Sequence, residues 1–124
     1  MSLRECILAA RTAGPHANAE GTTTVEFCFR ADEPVFAGHF PGRPMLPGIF
    51  QLEMTRVAAE TALGCALAIR EVIRAKFISP VQPGETVRVE LKCSETPAAI
   101  RAHAALFVAE RKAGEVVLQL ERNP

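Results

Sequence analysis

The 124-residue chain has no excess charge of either sign, since fourteen basic side chains offset fourteen acidic ones. That balance argues against a protein that holds nucleic acid or a membrane surface through bulk charge. It also has no long apolar run. Cys6-Ile7-Leu8-Ala9-Ala10 is far too short to cross a bilayer and has Glu5 beside it, so it reads as neither a membrane span nor a signal sequence. A cytoplasmic protein is the expectation. The four cysteines, at 6, 28, 65 and 93, form no Cys-x-x-Cys pair and have no histidine at ligand spacing, which makes a zinc site improbable. They are expected to be reduced and mostly buried, acting as small apolar residues. Tryptophan and tyrosine are absent and there are only three histidines, His16, His39 and His103.

What is present is enough for a folded core. Nearly half the residues are apolar, so disorder is not expected, and the length fits one domain over residues 1–124 that is short for a deep site of its own. Residues 22–30 alternate, with Val25, Phe27 and Phe29 on one face, as a half-buried strand does. Further strand-like runs fall near 69–78, 86–94, 100–108 and 116–120, with Pro83-Gly84 and Ala113-Gly114 as the expected turns. The first twenty residues predict a short strand or helix, broken at Gly14-Pro15 before a polar loop holding His16.

The densest information lies in residues 36–53, FAGHFPGRPMLPGIFQLE. Three prolines and three glycines fix and free the backbone alternately, which specifies a shaped loop. After Pro47-Gly48 the composition turns helical up to about Leu63, with Gly64 as the stop. No Ser, Thr, Asp or Asn stands at the helix start, so its first N–H groups lack a side-chain partner and remain available to an oxygen that gains negative charge. A lone imidazole, His39, lies in the loop, and Glu53 lies in the otherwise apolar first turns of the helix. Between Ile49 and Leu63 only Glu53, Arg56 and Glu60 are charged, so the helix is expected to be sheathed by sheet on more than one side.

The run GHFPGRPMLPG followed by a helix with an acid resembles the signature of the 3-hydroxyacyl-(acyl carrier protein) dehydratases of the hotdog fold, the FabZ and FabA group. KFISPVQPGETVRVEL, residues 76–91, is similar to that family's strand, Pro-Gly turn, strand segment. The resemblance implies an α+β hotdog fold, an antiparallel sheet of five to six strands wrapped around one long central helix, with dimers that join two sheets edge to edge. It implies His39 and Glu53 as the catalytic pair, fourteen positions apart, and the Gly48 N–H as the group that holds the thioester carbonyl. The implied reaction is reversible dehydration of a 3-hydroxyacyl thioester to the trans-2-enoyl thioester, in fatty-acid or related biosynthesis. The acyl group rides on the phosphopantetheine of acyl carrier protein, and no cofactor or metal takes part. Phe40 and Phe50 are possible tunnel linings, although core is the simplest reading of Phe36, Phe40, Phe50 and Phe77.

Two features depart from the family pattern. After Glu53 the chain reads Met54-Thr55-Arg56-Val57, without the usual glutamine one turn on, and a chain without tyrosine has no tyrosine gate. Glu53, Arg56 and Glu60 share one helical stripe, where a solvated ion-pair ladder is the plain alternative to catalysis. Arg56 has a specific bearing on function, because a neighbouring cation favours a carboxylate while a general acid needs its proton. Arg43, Arg70, Arg74 and Lys76 are candidates for guiding an acidic carrier protein. A hotdog acyl-thioesterase and a non-catalytic hotdog partner subunit are the competing readings.

Overall fold

A computed structural model describes residues 2–32 and 45–123. Its framework is a six-stranded sheet in the order β1-β2-β4-β5-β6-β3, every neighbouring pair antiparallel. The strands are β1 (Arg11–Ala17), β2 (Thr23–Cys28), β3 (Leu67–Phe77), β4 (Thr86–Glu95), β5 (Ile100–Val108) and β6 (Arg111–Arg122). Among the described residues two helices accompany them, α1 (Leu3–Ala10) and α2 (Gly48–Leu63), the latter of 16 residues. Helix α2 touches all six strands as well as α1, the arrangement the hotdog resemblance implies.

Alternation builds this contact. In β4, Val87, Val89 and Leu91 are buried against the helix while Thr86, Arg88, Glu90 and Lys92 turn outward. Strands β5 and β6 repeat the pattern with Ile100, Ala102, Leu106, Val116, Leu118 and Leu120. The helix answers with Met54, Val57, Ala58 and Ala59, all inaccessible, and the two alanines let its backbone approach the sheet. Each buried Val, Leu or Phe contributes about 1.5–3 kcal/mol by leaving water, so the helix is held by tertiary contact rather than by its own propensity.

Several local expectations are corrected. Gly14-Pro15 does not break the first segment; both residues lie within edge strand β1, and so does His16. The Gly14 backbone has φ +92°, and a Cβ there would lie 2.5 Å from the Thr24 carbonyl oxygen. Glycine therefore lets an irregular register between Ala13 and His16 stay against β2. Ala113-Gly114 is not a turn either. Strand β6 runs through it, and the chain reverses earlier, at Ala109-Glu110, where Ala109 takes φ +53°. Phe77 is not core but 51% exposed, at the end of edge strand β3. The four cysteines are unbridged and half-buried rather than mostly buried. Burial, aided by Glu95, pushes the Cys93 thiol up to about 11.

Candidate active site

Among the described residues helix α2 begins without a side-chain cap. Pro47 occupies the N-cap position and supplies no side-chain hydrogen bond, as its composition predicts. Helix α1 shows the contrast, because Ser2 Oγ accepts the Glu5 N–H at 3.1 Å while the Glu5 carboxylate accepts the Ser2 N–H. The start of α2 opens instead into a cavity of about 290 Å³ lined by Met45, Leu46, Pro47, Gly48, Gln51, Phe77, Ile78, Ser79 and Pro80. Glycine is needed at its mouth, since a Cβ on residue 48 would come within 2.6 Å of the Phe77 ring. A larger concavity, about 380 Å³, has Arg74, Glu90, Lys92, His103 and Glu115 among its walls. It mixes charges of both signs and shares no residue with the α2 site.

Glu53 and Arg56 form an ion pair, with Arg56 Nε donating to Glu53 Oε2 at 2.7 Å and both side chains less than one-fifth exposed. Arg56 also donates to the Leu67 carbonyl oxygen at 3.3 Å, which ties the pair to the start of β3. The stripe is not the solvated ladder that spacing alone suggests. Glu60 turns away from Arg56 and is buried, accepting from Arg4 of α1 and from the Leu67 N–H at 2.8 Å.

The other expected site residues divide in three. His39, Phe40 and Arg43 lie outside the described residues, as does Phe36. Phe50 turns into the core, edge-on to Phe29 with ring centroids 5.5 Å apart. Arg70 and Arg74 are paired with Glu121 and Glu115, and the Glu115 carboxyl is held below the usual carboxylate range chiefly by its hydrogen bond from Lys112. Gly48 and Glu53 therefore share one helix but not one cavity among the described residues, about 140° apart in helical rotation.

Two residues with a bearing on the site escaped sequence reasoning, Gln51 and Gly114. Gln51 lies in the first turn of α2 and is 3% exposed, and its Oε1 has no hydrogen-bond partner among the described residues. Its only signal in the sequence was a polar amide in an apolar stretch.

An antiparallel sheet folded over one helix defines the hotdog class, and in this chain the helix carries an acid one to two turns beyond a start that Pro47 does not cap. The chain belongs to the ApeI-like family, whose description is ApeI dehydratase, matched over residues 15–117. It is 29% identical over 107 residues to the 3-hydroxyacyl-[acyl-carrier-protein] dehydratase FabZ of Caulobacter vibrioides, which covers 79% of this chain and 61% of that protein. The match thus spans about three-fifths of that relative's length. Among solved structures it superposes on the dehydratase heterocomplex ApeI:P from Xenorhabdus doucetiae with a TM-score of 0.68 and 24% identity, covering 85% of this chain and 91% of that one. The fluoroacetyl-CoA-specific thioesterase FlK shares the fold at a TM-score of 0.68 and 13% identity, covering 90% of each chain. The fold alone therefore does not separate dehydration from thioester hydrolysis.

Proposed function

We propose that this chain dehydrates a 3-hydroxyacyl thioester carried on acyl carrier protein, giving the trans-2-enoyl thioester, and runs the reverse hydration. The observation that carries this reading is the bare tip of α2 at Gly48, opening on a cavity and followed on the same helix by Glu53. The Gly48 N–H takes the thioester oxygen as it gains enolate character. Neutral His39 takes the C2 proton as the C2–H bond breaks. Glu53 gives a proton to the 3-hydroxyl, which leaves as water while the C2–C3 double bond forms. Because Arg56 occupies Oε2, the proton travels on Oε1. No electrons are exchanged with a second molecule, so the scheme calls for neither a nicotinamide nor a metal.

Assembly completes the site in this reading. Strand β3 is a long edge with Val72, Ile73, Phe77 and Ile78 exposed along or just beyond it, a surface suited to pairing with a second sheet. Across such a pair, His39 of one protomer meets Glu53 of the other. The second reading is a non-catalytic subunit that pairs with a different hotdog chain, and the Glu53–Arg56 ion pair is the observation that favours it.

One assay separates the readings. The purified chain is given a crotonyl thioester and a 3-hydroxybutyryl thioester while enoyl absorbance and free thiol are followed together. Interconversion of the two without thiol release is the expected result; thiol release identifies a thioesterase, and no change identifies the non-catalytic subunit.

A further inference from the structure

Buried polar atoms in folded chains nearly always have partners, and Gln51 Oε1 has none among the described residues. A leucine or methionine would fill similar space without the desolvation penalty, so packing does not account for an amide here. The sheet is nevertheless built around it. At Gly114 of β6 a Cβ would lie 2.2 Å from Oε1 and 3.0 Å from the Lys76 carbonyl oxygen, so a side chain at 114 would drive the amide from its place.

Gln51 lines the cavity at the start of α2, whose other walls are mostly apolar. It follows Gly48 by three residues, a rise of about 4.5 Å, and helical side chains lean back toward the N-terminus. The amide therefore leans toward the turn that begins at Gly48. In the proposed reaction Glu53 already serves the 3-hydroxyl, so that group is not the donor Gln51 lacks. A thioester oxygen is an acceptor and does not meet the need either. The next donor along a thioester's thiol arm is the amide N–H two carbons beyond sulfur, a reach comparable with the separation of Gly48 and Gln51.

We propose that Gln51 is a substrate-contacting residue whose carboxamide accepts a hydrogen bond from that first amide of the thiol arm, and so selects pantetheine-type thioesters. This rests on the reading that the Gly48 N–H holds the thioester oxygen. The contact lies away from the carbons that react, so it acts on binding and shows in KM more than in kcat.

The test uses two crotonyl thioesters, one of N-acetylcysteamine, which carries the amide, and one of butanethiol, which does not. The wild-type chain hydrates the first with kcat/KM about tenfold higher relative to the second than Gln51→Leu does, the scale of one neutral hydrogen bond. In Gln51→Leu the N-acetylcysteamine rate falls by more than the butyl rate, and the melting temperature does not drop. Gln51→Met, longer and unbranched, repeats the measurement should the leucine variant fold poorly. Variants that keep the wild-type ratio, or that slow both thioesters equally, overturn the assignment while hydration itself persists. A wild-type chain that hydrates neither thioester overturns the dehydratase reading, and this assignment with it.

Discussion

The two ends of helix α2 are finished in opposite ways. At the C-terminal end Gly64 adopts φ +71° and its N–H closes on the Glu60 carbonyl oxygen, while the Glu60 side chain takes both Arg4 and the Leu67 N–H. At the N-terminal end Pro47 gives the first turn no side-chain cap, and among the described residues Gln51 Oε1 goes without a partner beside an open cavity. One helix thus holds a polar end that is closed by the chain itself and a polar end that is left for something else. An end left unsatisfied weakens the fold slightly, so its persistence next to a cavity is a mark of binding rather than of support.

The largest effect is expected from removing the proposed base. His39→Ala is expected to lower dehydration by at least ~100-fold, the low end for losing a positioned acid or base, with an unchanged melting curve. A well-folded variant that keeps its rate removes His39 from the proton transfer. At the closed end the effect is reversed in kind. Glu60→Ala leaves the Leu67 N–H unpaired and releases Arg4, at a cost of about 1–3 kcal/mol, with kcat/KM of the folded protein unchanged. Chemical denaturation run beside the rate assay checks both halves, and a variant as stable as wild type would deny Glu60 its structural role. The smallest effect comes from making the open end resemble the closed one. Pro47→Asp supplies the missing cap and is expected to raise stability by about 0.5–1 kcal/mol while slowing turnover, because the new carboxylate takes the Ile49 or Phe50 N–H and sets a negative charge beside the Gly48 N–H. Faster or equal turnover in that variant would mean the helix tip takes no part in the reaction.

What the sequence made legible follows the same division. Composition between Pro47-Gly48 and Gly64 located α2, and periodicity located the central strands because Val87, Val89 and Leu91, or Val25 and Phe27, alternate over a sheet with one buried face. Residues 36–53 marked out a candidate site because prolines and glycines there leave little freedom for any other use. Where a residue's reason is tertiary, local reading failed. Ala113-Gly114 resembles a turn, yet glycine is at 114 because the Gln51 amide lies against it, and the real turn at Ala109-Glu110 carries no glycine to announce it. Spacing suggested Glu60 as a partner for Arg56, whereas its partner Arg4 lies 56 residues away in sequence. Phe77 was misplaced because apolar character does not reveal that a strand is the last in its sheet.

The contact between Gly114 and Gln51 has a consequence for how such chains diverge. The two positions form a lock in which bulk on the strand and an amide on the helix exclude one another, so neither changes freely while the other is kept. Lineages that trade the glycine for a larger residue must first shorten or turn aside the glutamine. Sequences that retain this glutamine should therefore retain glycine opposite it, and that pairing would trace a shared ligand preference through relatives whose overall identity has decayed.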